Sequence, residues 1–296
     1  MAPTQPSKIK KYSVDAHLDD VLNALYTDGA VQIASLVPLD IVENIKAEVD
    51  RNKKTEKDVT KGDIFNTSTE TVYGLAAKSP AAVEAVIRHP MVKAVREDAL
   101  TRTTSAWFGE ERHTATSKPL LSCFFSTRVA PGASRQGLHR DDQDHHVHHT
   151  RPDPRESSIM FCGVALNKIT RENGATEVIP GSWAWDDERK PDQSEVTYAE
   201  MDIGDCTFMM GHTYHGAGAN STKDQFRHLL ISLWCPGIYR TEENQFLAVP
   251  REVVEKYPED VQDVLGWRSS VPYLGWHEFS HPFNLFREKK ESLGLA

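Results

Sequence analysis

The chain has 296 residues, of which 39% are hydrophobic and 26% are charged, and its formal net charge is -9 at pH 7. This length allows a large buried core, and the composition is that of a globular protein rather than a fibrous or disordered one. The negative charge argues against a protein that binds nucleic acid, because that function needs a basic face.

The cysteine spacing and the absence of long apolar segments indicate the compartment. No two cysteines form a CxxC pair, so a zinc knuckle or a thioredoxin-type redox motif is not expected. The sequence also lacks a secretory signal and any run of 18 apolar residues, so we expect a cytoplasmic protein that has no membrane partner. The widely spaced thiols, which we expect to be reduced, are Cys123, Cys162, Cys206 and Cys235.

The first third of the chain is predicted to be mainly helical. Apolar residues recur at helical spacing over 14–25, a short strand follows at 30–36, and Pro38 suits the first turn of a second helix. The polar segment 53–75 is predicted to be a loop or a lid. Residues 79–101 are predicted to form further helices, because a serine and two prolines stand at favourable starting positions.

The pattern changes to that of β-strands after residue 120. Short segments rich in Val, Ile, Phe, Cys and Thr are separated by turn sequences such as RENGA and GAGANSTKD, without helices between them. This arrangement predicts an antiparallel sandwich or barrel. The predicted strands lie in 120–130, 157–169, 175–182, 205–212 and 226–238.

We therefore predict one domain over 1–296. Its parts are a mainly helical N-terminal layer (1–110), a β core (115–240) and a C-terminal tail (241–296), in which 249–267 is predicted to be helical.

A histidine-rich stretch, GLHRDDQDHHVHH at 137–149, suggests a metal site. Residues two apart in a strand point the same way, so His139 and Asp141 would share a face. The third ligand would be His212 or His215. Two histidines and one carboxylate form the facial triad of non-haem Fe(II) oxygenases, which leaves positions open for a 2-oxo acid and dioxygen.

Arg227 is the second candidate for binding chemistry. It follows His215 across a Gly/Asn/Ser turn, which would bring the next strand back beside the first. Its surroundings, FRHLLISLW, are those of a core strand. A buried arginine needs an acidic partner, and a guanidinium binds a carboxylate through two hydrogen bonds. The distal carboxylate of 2-oxoglutarate would be such a partner.

The motifs QGLHRDDQDHH, NGATEVIPGSW and HGAGANST resemble those of the phytanoyl-CoA dioxygenase superfamily. The resemblance covers nearly the whole chain and is strongest to the fungal Fe(II)/2-oxoglutarate-dependent dioxygenases of alkaloid and meroterpenoid biosynthesis. It implies an α+β fold of the β-sandwich type, with a double-stranded β-helix (a cupin-like jelly-roll) flanked by helices at both ends of the chain. The metal ligands that it implies are His139, Asp141 and His215, and it thus selects His215 over His212.

The same resemblance implies the residues that bind the cosubstrate. Arg227 corresponds to the arginine that binds the distal carboxylate of 2-oxoglutarate, and Gln136 to a glutamine that contacts the cosubstrate in several relatives. Thr176 lies where relatives place a hydroxyl near the same acid. Asn66 corresponds to an asparagine on an early loop of variable length.

The implied reaction is the oxidation of a C–H bond in a polycyclic, apolar secondary metabolite, with Fe(II), 2-oxoglutarate and O2. Asp141 argues against a halogenase, which would lack this ligand. The resemblance also implies a homodimer. The alternative is a non-oxidative, metal-dependent isomerase of the cupin type or a small-molecule binding protein, and neither would need Arg227 together with Gln136 to hold a second carboxylate.

The remaining histidines and aspartates of 137–149 are predicted to form a solvated loop at the rim of the pocket. Aromatic residues that could contact the substrate, with core packing as the equal alternative, are Tyr73, Trp234, Tyr239 and Trp267.

Overall fold

The computed structural model describes residues 8–53, 68–150 and 153–286. Helices cluster near the two ends of the described chain, and strands form its middle. The helices are α1 (Leu18–Asp28), α2 (Leu39–Arg51), α3 (Leu75–Lys78), α4 (Pro80–Ala82), α5 (Pro90–Leu100), α6 (Gln245–Ala248), α7 (Arg251–Val254) and α8 (Glu259–Val264). The strands are β1 (Lys11–Ser13), β2 (Ala30–Ala34), β3 (Thr69–Val72), β4 (Arg102–Phe108), β5 (Glu111–Ser117), β6 (Pro119–Val129), β7 (Met160–Ala165), β8 (Thr176–Val178), β9 (Thr197–Ala199), β10 (Cys206–Met210), β11 (His215–Ala217) and β12 (Arg227–Pro236).

Within the described residues, seven strands form a large mixed sheet and three form a smaller one. The large sheet has the order β1-β2-β10-β7-β12-β6-β3, and the small sheet has the order β11-β8-β9. Strand β12 lies between β6 and β7 and pairs with both in antiparallel register. Two sheets with helices near both ends of the chain confirm the predicted fold class.

Successive side chains of the central strands point to opposite faces of the large sheet, so the sheet separates two apolar layers. On β12, Leu230 and Trp234 are fully buried in the core that the N-terminal helices cover, and the Arg96 guanidinium of α5 lies 4.1 Å from the Trp234 ring centre. Leu229 and Ile231 face the opposite side, where they belong to a second apolar cluster. The second face is the one that the smaller sheet approaches.

Local sequence signals set the ends of the longer helices. The His17 side chain accepts a hydrogen bond from the Asp19 backbone N–H at the start of α1, and Gly29 ends that helix in the left-handed conformation. Pro90 occupies the first turn of α5, where its missing N–H costs nothing. Full burial of a leucine such as Leu25 contributes about 1.5–3 kcal/mol, so packing dominates the stability of these helices.

Parts of the fold differ from the predictions. The hairpin of β4 and β5 was not predicted. It spans residue 110, where the segment predicted to be mainly helical (1–110) ends. Its strands are polar and exposed, so no apolar alternation marked them; at the tip, Trp107 and Phe108 are 71% and 75% exposed. Strand β3 lies in the segment predicted to be a loop or lid. The predicted helix over 249–267 is instead the two short helices α7 and α8.

Among the described residues, no helix combines the length and the apolar character needed to span a bilayer.

Candidate metal centre

Three potential ligands come together between the two sheets. One ligand atom from each of His139, Asp141 and His215 lies within 4.8 Å of the others. His139 and His215 face each other across an isolated antiparallel bridge, in which each backbone N–H donates to the other's carbonyl at 2.9 and 3.0 Å. Asp141 follows two residues later and begins a 3-10 turn that ends at His145. The bridge therefore fixes the two imidazoles before any ion is considered.

Both imidazole rings are held in one tautomer by backbone carbonyls. His139 Nδ1 donates to the Gly137 carbonyl at 2.9 Å, and His215 Nδ1 donates to the Thr213 carbonyl at 3.0 Å. Because each Nδ1 carries the proton, each Nε2 offers a lone pair, and both Nε2 atoms lie 3.5 Å from Asp141 Oδ1. Metal-binding histidines are typically oriented by such hydrogen bonds on the second ring nitrogen.

The electrostatics of the three groups match a cation site. Burial alone would raise the pKa of Asp141, but the two neighbouring histidines hold that pKa below its ordinary value. Burial lowers the pKa of His215, so its imidazole is neutral near pH 7. Burial also opposes protonation of His139, but the hydrogen bond and charge of Asp141 raise its pKa. A divalent ion bound between the three groups would neutralise the Asp141 carboxylate and accept a lone pair from each imidazole.

Arg140 anchors the backbone that carries the ligands, and Gly216 allows two segments of that backbone to approach each other. The Arg140 guanidinium is buried on the side away from the triad, where it donates to the carbonyls of Ser182 and Trp185 at 3.0 and 2.7 Å. At Gly216, a Cβ would lie 3.1 Å from the carbonyl oxygens of Gln136 and Gly137. The glycine after His215 therefore lets the two ligand-bearing segments approach closely.

The triad opens into a cavity of about 980 Å³ between the sheets. Its floor consists of the alternate residues of two neighbouring strands that face the smaller sheet. These residues are Cys123, Phe125, Thr127 and Val129 of β6, and Arg227, Leu229, Ile231 and Leu233 of β12. Cavities of this size and mixed lining accommodate small molecules rather than polymers.

Arg227 is a buried cation at one end of this cavity. It is 5% exposed, its Nη1 donates to the Gly174 carbonyl at 3.0 Å, and its Nε has no hydrogen-bond partner among the described residues. Burial lowers the pKa of the guanidinium to about 10, so it keeps its charge at pH 7. Gly174 has a φ of 97°, and this left-handed conformation is one that glycine adopts without strain. A carboxylate from a ligand would satisfy the unpaired guanidinium.

The structure places the other predicted cosubstrate residues as follows. Gln136 and Thr176 both line the cavity. The Gln136 side-chain oxygen accepts a hydrogen bond from the Ala217 N–H at 3.2 Å, and the backbone N–H of Gln136 donates to the Ala217 carbonyl at 2.9 Å. Thr176 pairs with Ala217 across β8 and β11. Asn66 lies outside the described residues.

His212, the alternative third ligand, lies away from the triad. It is buried beside the His149 and Trp183 rings, with ring centres 6.3 and 6.1 Å away. Its Nε2 is 3.4 Å from the Asp153 carbonyl, and burial lowers its pKa to about 4. It is thus a neutral, packed side chain.

The prediction that the rest of 137–149 is a solvated loop is wrong for two residues. His148 is exposed, but Asp142 is fully buried and His149 nearly so. His149 donates through Nε2 to Asp142 at 3.1 Å and through Nδ1 to Asp187 at 2.6 Å. These two hydrogen bonds connect the segment after Asp141 to the 182–187 region. Residue spacing along the chain could not predict this role.

Replacing His149 with alanine is expected to lower the free energy of unfolding by about 3 kcal/mol, since it leaves the Asp142 carboxylate buried and unpaired. The hydrogen bond to Asp142 raises the pKa of His149. Its contribution is therefore complete below the ordinary histidine pKa of about 6.5 and is lost as the pH rises through the raised value. Urea unfolding near pH 6 and near pH 9 should show the larger difference at the lower pH. The exposed neighbour variant His148→Ala should change stability little, and an equal loss at both pH values for His149→Ala would contradict this role.

Of the aromatic residues considered for substrate contact, only Tyr73 lines the cavity. Trp234 faces the helices, Trp267 packs between Phe246 and Phe286, and Tyr239 stacks on His145. The alternative of core packing is therefore the right one for Trp234 and Trp267.

Sequence reasoning did not single out two of the cavity residues, Glu242 and Glu243. They stand in a polar turn after β12, and nothing in RTEEN distinguishes a carboxylate that faces a cavity from one that faces solvent.

The sequence profile of the family described as phytanoyl-CoA dioxygenase (PhyH) matches residues 25–229. The chain is 34% identical over 282 residues to dioxygenase swnH1 of Metarhizium robertsii, covering 92% of each protein. It is 30% identical over 301 residues to dioxygenase peniF of Penicillium patulum, covering 99% of this chain and 95% of the relative.

Solved structures share the fold at low sequence identity. The epimerase SnoN in complex with Fe3+, alpha ketoglutarate and nogalamycin RO superposes with a TM-score of 0.53 at 20% identity, covering 78% of this chain and 88% of SnoN. HygX of Streptomyces hygroscopicus, with nickel and 2-oxoglutarate bound, gives a TM-score of 0.54 at 16% identity, covering 76% of this chain and 90% of HygX. These similarities confirm the predicted jelly-roll core.

Proposed function

The chain belongs to the phytanoyl-CoA dioxygenase family, and from that premise we propose that it is a non-haem iron enzyme that uses 2-oxoglutarate and dioxygen to oxidise a C–H bond of a small molecule. His139, Asp141 and His215 would hold Fe(II) as two neutral imidazoles and one carboxylate, the donor set of the facial triad. Arg227 would bind the distal carboxylate of 2-oxoglutarate, with Gln136 and Thr176 alongside.

The chemistry divides between the iron and the chain. When bound, Fe(II) supplies the coupling of 2-oxoglutarate decarboxylation, which yields succinate and carbon dioxide, to oxidation of the substrate. The Gly137 and Thr213 carbonyls keep the protons of His139 and His215 on Nδ1, so that both Nε2 atoms stay free to bind. Leu229 and Ile231 present apolar walls that limit water around the reacting groups.

One observation carries this proposal: the candidate triad lines the same cavity as a buried arginine whose Nε has no partner in the part of the chain that the structure describes. A metal-dependent isomerase would need the triad, but neither it nor a small-molecule binding protein would need a buried guanidinium that lacks an acidic partner among the described residues. A buried charge without a partner is costly, and 2-oxoglutarate would supply the missing carboxylate.

Purified protein given Fe(II), ascorbate, 2-oxoglutarate and air is expected to release succinate slowly even without its substrate. Succinate should be absent under nitrogen and after iron is removed with a chelator, because both iron and dioxygen are needed for decarboxylation. Measuring succinate by mass spectrometry checks this result. Absence of succinate from protein that binds iron stoichiometrically would favour the non-oxidative alternative.

We further propose a polycyclic secondary metabolite as the substrate, because the cavity has the volume for one beside 2-oxoglutarate and its floor is mostly apolar. The related fold of SnoN serves an epimerase, so the product after C–H cleavage is not restricted to an alcohol. The predicted homodimer and the single domain over 1–296 stay predictions, which the mass in solution and limited proteolysis can check.

A further inference from the structure

A second cavity, of about 440 Å³, lies among the helices that cover the face of the large sheet pointing away from the triad. Arg96 of α5 lines it, and the same residue contacts the ring of Trp234 on that face. The two cavities share no lining residue in the part of the chain that the structure describes. A volume of this size is enough for a small molecule, so the second cavity is a candidate site separate from the triad.

Arg96 is a buried cation that forms no ion pair among the described residues. It is 4% exposed, and the hydrogen bond that it makes runs from Nη1 to the Ile87 carbonyl. Burial lowers the pKa of the guanidinium to about 10, so the group keeps its charge at pH 7. A guanidinium has five N–H donors, and a buried charge without a partner is costly. Arg96 therefore points to an anion in this cavity.

Two of the three acidic residues that line this cavity already have a cationic partner. Asp260 lies 2.9 Å from the Arg88 guanidinium, and Asp263 lies 2.9 Å from the guanidinium of Arg268. The third, Glu97, is partly exposed and forms no ion pair within the described residues. The acidic residues thus leave one negative charge unpaired.

Two lysines and a hydroxyl add to the positive character of the cavity. Lys93 lies three residues before Arg96 on α5, and Lys118 immediately precedes β6; both are exposed and form no ion pair in the described chain. Ser269 is 6% exposed, and its Oγ has no hydrogen-bond partner among the described residues. A buried hydroxyl without a partner points to a ligand or to ordered water. Three cations therefore outnumber the one unpaired acid.

We propose that this cavity is a second binding site, for a phosphate group that is free or carried as a monoester by a small molecule. Near pH 7 a phosphate has about two negative charges and three acceptor oxygens. The Arg96 guanidinium would bind two of these oxygens with its planar fork. Ser269 Oγ would donate a further hydrogen bond, and the two lysines at the rim would balance the second charge. The site goes beyond the proposed function and does not depend on it.

The full-length chain is titrated calorimetrically with phenyl phosphate and with inorganic phosphate, in a buffer free of other phosphate. We expect one site per chain and tighter binding of the monoester, since the cavity has room for its ring; tighter binding of inorganic phosphate would identify the free ion as the ligand. Arg96→Met keeps an apolar side chain against Trp234 and should weaken binding at least about tenfold, because hydrogen bonds to a charged group are lost. Ser269→Ala and Lys118→Gln should each weaken binding about threefold.

Two control variants locate the bound phosphate. Lys168→Gln removes a lysine that is 70% exposed elsewhere on the surface, and it should leave the affinity unchanged. Arg227→Met removes the buried cation of the first cavity and should also leave the affinity unchanged. In Arg227→Met, succinate should bind more weakly than phenyl phosphate, because the second cavity is suited to a phosphate rather than to a dicarboxylate.

The proposal is wrong if neither phosphate compound binds, if Arg96→Met with a native circular dichroism spectrum keeps the full affinity, or if Arg227→Met loses it. It is also wrong if succinate binds to Arg227→Met as tightly as phenyl phosphate does. If Arg96→Met does not fold, Ser269→Ala and Lys118→Gln decide, and an unchanged affinity in both would overturn the proposal. None of these titrations involves iron, so failure of this site leaves the proposed function standing.

Discussion

Replacing Arg227 with methionine is expected to raise the 2-oxoglutarate concentration for half-maximal succinate release on the order of a hundredfold. Removing one partner of a buried, hydrogen-bonded charge pair costs about 2–5 kcal/mol, and a hundredfold loss lies within that range. Methionine keeps most of the buried volume, so the strand should fold as before. The measurement is the rate of succinate release against 2-oxoglutarate concentration, with iron held saturating.

The control for this experiment is Arg128→Met on the neighbouring strand. Arg128 is one residue from Val129, the partner of Arg227, but it points to the other face of the sheet, where it lies 3.6 Å from Glu70. Its replacement should leave the 2-oxoglutarate requirement nearly unchanged. An unchanged requirement in Arg227→Met would show that the cosubstrate carboxylate binds elsewhere.

Loss of a triad residue is expected to have the second large effect. Asp141→Ala and His215→Ala should each weaken Fe(II) binding at least about a hundredfold, because even supporting residues outside the coordination sphere typically contribute ten- to a hundredfold. Equilibrium dialysis against a series of Fe(II) concentrations under anaerobic conditions measures this affinity. Succinate release should fall in parallel with the iron that remains bound.

His212→Asn provides the matched control, since His212 is equally buried and only three residues from His215. It belongs to the packing around His149, so its replacement should reduce stability and leave iron affinity nearly unchanged. If His212→Asn loses iron while His215→Ala retains it, the assignment of the third ligand is reversed.

The central β core could be predicted because its main strands are runs of apolar residues bounded by turn sequences. Strand β12 is such a run and is buried along its whole length, so Leu229 and Leu230 point to opposite faces and each enters an apolar cluster. The hairpin of β4 and β5 escaped prediction for the converse reason. Its side chains face solvent on both sides, and polar, exposed strands carry no period-two hydrophobic pattern.

The candidate site was predictable where residues lie close in sequence or belong to a family motif. His139 and Asp141 are two apart, and His215 and Arg227 flank one turn. The burial of Asp142 with His149 depends on Asp187, which is 38 residues from His149, and on packing that no local pattern encodes. Glu242 reaches the cavity only because the turn after β12 folds back onto Ser122, 120 residues earlier in the chain.

The most direct test of the central claim is the visible spectrum of the protein mixed anaerobically with Fe(II) and 2-oxoglutarate. If the triad and Arg227 together form one binding site, a weak charge-transfer band should appear and saturate at one iron per chain. The band should be lost in Asp141→Ala, and in Arg227→Met it should need far more 2-oxoglutarate. A band that never forms in the unaltered protein, or one that persists unchanged in Asp141→Ala, would contradict the account.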